Sequence, residues 1–162
     1  MQSAKDSFYV ELRNRVAAMN PARTMVLRGV SRPGVLVTEN ELATTFFAAD
    51  VFWLRWVEVS LEPVDQMVRV RCEICYATDG MTVNGGMDRG RMLAGMDLEL
   101  ATALRRQPQN TGKTVYSSSG SVAMSTSIFW TDPVFGKTTI EGERMSRTTT
   151  VEVFAYGEAG DL

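Results

Sequence analysis

Apolar residues recur with two different periods along this chain, and the switches between them mark out its elements. Phe8, Leu12, Val16 and Met19 stand at helical spacing with Glu11, Arg13 and Arg15 between them, which predicts an amphipathic helix of about three turns. Ser7 is placed to cap its start. Asn20-Pro21 ends it, because the residue before a proline is driven out of the helical region. Strand-like residues follow at 24–30, and Arg32-Pro33-Gly34 turns the chain into Val35-Leu36-Val37, so these two runs are expected to pair as a hairpin. Residues 39–50 are mixed polar and small, with Phe46-Phe47 as the only bulky anchor, and read as a loop.

The period then changes to two. Phe52, Trp53 and Trp56 open a strand that continues through Val57 and Val59. After turn chemistry at 62–66, apolar and charged residues alternate from Val68 to Ile74, which implies one buried and one wet face. The two runs predict a long antiparallel hairpin at the centre of a sheet. Asp79-Gly80 closes it, and Asn84-Gly85-Gly86 leads to a second helix capped by Asp88, with Met92, Met96, Leu100 and Ala103 or Leu104 as its apolar stripe and Arg105 and Arg106 at its C-terminal end. Residues 107–127 are rich in Ser, Thr, Gly and Gln and read as a long flexible polar loop. Ile128-Phe129-Trp130 resumes a strand, 136–143 reads as a turn or exposed loop, and 147–156 is the last strand. The expected fold is α+β: one domain over residues 1–162, with a largely antiparallel sheet and a long central hairpin packed against two α-helices.

Composition narrows the chemistry. A chain of 162 residues at 44% apolar content suits one ordinary domain, able to bury roughly 70% of its unfolded surface without staples. A formal charge of -2, from 17 basic and 19 acidic residues, gives no electrostatic reason to expect nucleic acid or an anionic membrane. The polar start and the lack of a long apolar run point to a chain made and folded in the cytoplasm. There is no histidine, so the commonest general base and zinc ligand are both missing.

The remaining motifs read more simply as structure than as chemistry. Cys72 and Cys75 are three apart on a strand and point to opposite faces, whereas a disulfide or metal pair needs both sulfurs on one side; they are expected to be structural thiols, with Cys72 on the Val68 and Val70 face. Gly112-Lys113-Thr114 lacks the earlier glycine of a phosphate-binding loop, having Gln107 there. Asp79, Asp88 and Asp97 are expected to cap, turn and solvate, and Ser117-Ser118-Ser119 has no base beside it. No cofactor or metal is expected, and no catalysis. Trp53 and Trp56 also differ by three, so one of them is expected outside the main core, and Phe154 beside Val153 makes both faces of the last strand apolar. Large aromatics on an outer face are typical interface anchors. The candidate interface residues are Trp53, Trp56, Phe154 and Tyr156 on strands, with Lys113 and Tyr116 in the polar stretch.

The element order, the alternating strand at 68–76, the polar loop leading into a helix at Met87-Asp88-Arg89, and the apolar-aromatic closing strand resemble the phage tail terminator and tail-completion proteins of the lambda type. The resemblance is one of pattern over nearly the whole chain, without a diagnostic motif. This chain departs from that family in its longer polar stretch at 107–127 and in the insertion around 39–50. The resemblance implies a subunit of a six-membered ring at the head-proximal end of a tail tube, stopping its growth and offering a surface to the neck or head connector. It would place the protein in the virion, with itself, the tube protein and the connector as partners. A ring closed by rotation needs two different adhesive surfaces on each subunit. Two other classes compete: a small binding domain holding an apolar ligand or partner on its sheet face, with a cavity at Trp53 or Trp56, and a histidine-free hydrolase working through Asp79 and Asp88.

Overall fold

The computed structural model describes residues 1–39, 48–61 and 67–161. The expected loop at Phe46-Phe47 and the turn at 62–66 lie outside the described residues. The fold is α+β, as the two periods predict. Helix α1 spans Gln2–Met19 and α2 spans Arg89–Arg105; the strands are β1 (Thr24–Leu27), β2 (Val30–Pro33), β3 (Val35–Val37), β4 (Phe52–Leu61), β5 (Met67–Thr78), β6 (Asn110–Ser117), β7 (Gly120–Trp130), β8 (Val134–Phe135), β9 (Thr139–Glu141) and β10 (Arg144–Tyr156). The main sheet runs β3-β4-β5-β10-β7-β6. Along the side of β10 away from β5, the short strands β9 and β8 and then the end of β7 pair in succession.

Alternation sorts the residues between the two faces. Phe52 and Leu54 of β4, Val70, Cys72, Ile74 and Tyr76 of β5, and Val151, Val153 and Ala155 of β10 point to one side. There they meet Ala4, Phe8, Leu12 and Val16 of α1 and Leu93, Met96, Leu100, Ala103 and Leu104 of α2 in one apolar core. Burying these side chains supplies roughly 1.5–3 kcal/mol each. The opposite face carries a ladder of ion pairs, Arg55 with Glu73, Arg71 with Glu58 and Glu152, and Arg69 with Glu152. At one end of that face a small second cluster forms from Leu36, Val51 and Trp53.

Several local expectations are corrected. First, residues 24–33 form their own hairpin, β1 with β2, turning at Arg28-Gly29, and β3 instead joins β4 in parallel. Both turn residues have positive φ, 51° and 80°, the backbone hand that a tight two-residue hairpin needs. Second, α1 begins at Gln2, so Ser7 lies buried inside it and caps nothing. Third, Asp88 stands at the N-cap of α2 without a side-chain cap bond; its carboxylate accepts from the Met81 amide and the Asn84 side chain. Fourth, the polar stretch 107–127 is not a flexible loop: most of it forms β6 and the first part of β7, an antiparallel hairpin turning at Ser118-Ser119. The turn expected at 136–143 also contains β9, and β10 begins at Arg144, earlier than residue 147.

Candidate interaction surface

Two hairpin ends leave the helices behind at the same end of the sheet. On β4 the register slips between Trp56 and Glu58, so that one extra residue, Val57, is accommodated. A bulge shifts the alternation by one. Val59 and Leu61, opposite Val70 and Val68, therefore point to the helix-bearing side. Neither helix covers them, and both are exposed, Leu61 to 69%. On the other flank, beyond the pairing of Ile128 with Ala155, β7 runs on past the end of β10 with only β6 beside it as a strand neighbour among the described residues. This overhang is an arm with Tyr116 and Val122 exposed, Val122 to 68%.

The outer edge of β6 is closed by α1. The Thr114 amide donates to the Ser7 hydroxyl at 2.9 Å, and that hydroxyl also faces the Ser3 carbonyl at 2.6 Å. The inner side of the arm holds the least expected group in the molecule. Lys113 is fully buried, and its ammonium donates to the Tyr156 carbonyl at 2.6 Å and to Asp161 at 2.9 Å, with Glu158 at 3.3 Å. Asp161 also takes the ammonium of Met1. Burial works to raise the Asp161 pKa, but the two ammonium groups outweigh it and hold it below the usual range. Glu158 receives the hydroxyls and backbone amides of both Ser125 and Thr126, and these bonds, Ser125 first, bring its pKa down to about 2. Those two amides sit where β7 bulges, three residues opposing Lys113 alone between the pairs at Gly112 and Thr114. Lys113, expected in a flexible loop, is thus the post to which residues 157–161 are tied.

The other expected interface residues scatter. Trp53 and Trp56 do face opposite sides, but Trp53 is only 4% exposed beneath Met25 and Ala48. Trp56 is half-buried edge-on against Phe8, with the Lys5 ammonium over its ring. Phe154 lies on the outer face, stacked at 5.2 Å on its cross-strand partner Phe129. Tyr156 is part-exposed at the end of β10, and Tyr116 borders a groove with Tyr9 and Val10 of α1. Of the six, Lys113 and Tyr156 are brought together, at the root of the arm. Five clefts among the described residues are lined by side chains other than Trp53 and Trp56.

A cleft of 690 Å³ lies at the ends of β5 and β10 and is lined by Cys75, Tyr76, Asp79, Arg144 and Arg147 among others. Two of its arginines are paired: Arg144 grips Asp79 with two bonds, which lowers the Asp79 pKa, and Arg147 stands 3.3 Å from Asp97. Burial, with the Asp97 carboxylate beside it, pushes the Tyr76 phenol far above its ordinary pKa. Asp88 is not among the lining residues, so Asp79 and Asp88 do not form a carboxylate pair across this cleft. Cys72 and Cys75 are free thiols on opposite faces, Cys72 buried in the main core. Among the described residues no group of three or more acidic or thiol side chains is placed to hold a metal ion, and no helix is long and apolar enough to cross a membrane.

Comparison with protein-family models and with curated proteins finds no match to this chain.

Proposed function

We propose that this chain is a structural subunit of a phage tail or a related injection device, a tail terminator or tail-completion protein. In this reading copies join into a ring, a hexamer, that caps the tail tube and connects it to the neck or head connector, and the protein resides in the virion. The observation that carries the reading is the pair of exposed apolar hairpin ends, Val59 and Leu61 on one flank and Tyr116 and Val122 on the other, separated across the sheet by β5 and β10. A ring built by rotation requires two unlike surfaces on one subunit, and a self-complementary dimer requires only one. The pairing of Arg144 with Asp79 and of Arg147 with Asp97 in the cleft favours contact over turnover.

Native mass spectrometry over a concentration series tests this. A closed hexamer is the expected species. A strict monomer that also fails to co-sediment with assembled tail tubes would overturn the proposal.

A further inference from the structure

From Thr114 to Thr131 the sequence has no charged residue, yet part of this run forms the exposed arm. Exposed strand edges ordinarily carry lysine, proline or another charge that discourages pairing with a second chain. On β6 the edge is shielded by Ser7 of α1. Among the described residues the free edge of β7 is guarded by the Glu158 carboxylate, supplied from elsewhere in the chain and seated on the amides of Ser125 and Thr126. A groove of 520 Å³ runs beside it, lined by Val115, Val122, Ala123 and Met124 on the arm and by Ala159 and Gly160 on the returning segment.

Gly157-Glu158-Ala159-Gly160-Asp161 contains two glycines and no large apolar side chain, so its described anchors are polar: Lys113, the Met1 ammonium and the bulge of β7. The bonds of Glu158 to the β7 bulge are exchanged for water at low net cost, whereas the fully buried Lys113 ammonium must be hydrated or re-paired when the segment lifts. β3 pairs with β4 only as far as Leu54, and beyond it β4 has no outer strand neighbour among the described residues. Val57, Val59 and Leu61 are exposed there.

We propose that residues 157–161 are a strap guarding the free edge of β7, and that this edge accepts the distal half of β4 from a second copy of the chain when the strap lifts. The inference rests on the self-assembling reading above and adds its contact and its control. The exposed β4 residues offer backbone groups to the amides that Glu158 now occupies, and Val59 and Leu61 meet the apolar groove at Val122. Main-chain bonds then give affinity, and the alternate side chains give specificity. Until then one carboxylate blocks the edge.

The test compares full-length wild type, Glu158→Ala and Val122→Asp by native mass spectrometry over a concentration series, with hydrogen exchange followed at residues 120–127 and 55–61. Tryptophan emission confirms that each variant is folded. E158A is expected to assemble at a concentration at least tenfold lower than wild type, V122D to remain monomeric, and both segments to gain protection in the wild-type oligomer. The strap is overturned if E158A assembles no more readily than wild type. The edge contact is overturned if residues 120–127 exchange as fast in the oligomer as in the monomer. An oligomer other than a closed ring, with both segments protected, would support the edge contact while removing the tail-ring reading; a hexamer whose arm exchanges freely would do the reverse.

Discussion

Ser7 and Thr114 lie 107 positions apart, and the hydroxyl of one closes the sheet edge presented by the other. A serine inside a helix usually bonds back to the carbonyl one turn earlier, and Ser7 does so to Ser3. Its oxygen still has a lone pair for the Thr114 amide. A polar residue on the buried face of α1 thereby satisfies a β6 donor that would otherwise lie against the helix without water.

Ser7→Ala removes that acceptor with almost no change in volume. The expected cost is about 1–2 kcal/mol for a donor left unpaired, seen as a Tm lower by roughly 3–6 °C. An unchanged Tm would show that water reaches the Thr114 amide.

Arg15 serves as the C-terminal cap of the other helix. It is buried, lies over the Trp130 ring, and donates to the carbonyls of Ala103, Arg106 and Pro108 at 3.1, 2.7 and 2.8 Å while pairing with Glu11. Cations at a helix C-terminus are favoured by the dipole. Arg15→Met should destabilise the protein by about 2–3 kcal/mol in chemical denaturation, and Arg15→Lys should recover only part, since an ammonium lacks the planar fork that reaches three carbonyls.

The two thiols should differ in reactivity. Burial raises the Cys72 pKa well above its ordinary value, whereas Cys75 lines the open cleft beside Thr148. The thiolate is the reactive form. An alkylating reagent near neutral pH should therefore label Cys75 in the folded protein and spare Cys72. Equal labelling of both, read by peptide mass spectrometry, would mean that the centre of β5 opens readily.

The contacts of residues 157–161 should depend on acid in one direction. The Glu158 pKa is brought from 4.5 to about 2, and that of Asp161 is also lowered, while Lys113 and Met1 supply the facing positive charges. A depressed carboxylate pKa contributes stability that is complete above the unfolded value and is lost as pH falls through the folded one. The segment should stay in place down to about pH 4.5 and release between there and pH 2. The amide resonances of Ser125 and Thr126 report this directly, and no change in them across that range would count against these contacts.

Much of the scaffold was legible before any coordinates. The alternation on β5 placed Cys72 and Cys75 on opposite faces, and of the stripe Phe8, Leu12, Val16 and Met19 the first three are buried while Met19, at the end of α1, is exposed. In α2 the stripe was displaced by one position in part, since Leu93 is buried and Met92 only half so. These features follow from local periodicity, because a buried face selects apolar residues at the repeat of its own element.

The hairpin of β6 and β7 was not legible, because its arm buries no continuous apolar face that would write a period into the sequence. Its strand character comes from neighbours far along the chain: Ser7 on one edge, Glu158 on the other, and Lys113 held between Tyr156 and Asp161. The β-branched Thr111, Thr114, Val115, Val122, Thr126 and Ile128 were a scattered local signal. The sequence by itself determined the two helices, the long hairpin and the α+β class, since each is specified by side chains that repeat within one segment. Only the tertiary structure decided that a buried lysine ties down residues 157–161, that a serine closes a sheet edge and that β3 joins the sheet in parallel. Those contacts depend on backbone groups, and a backbone amide or carbonyl leaves no mark on the identity of the residue that carries it.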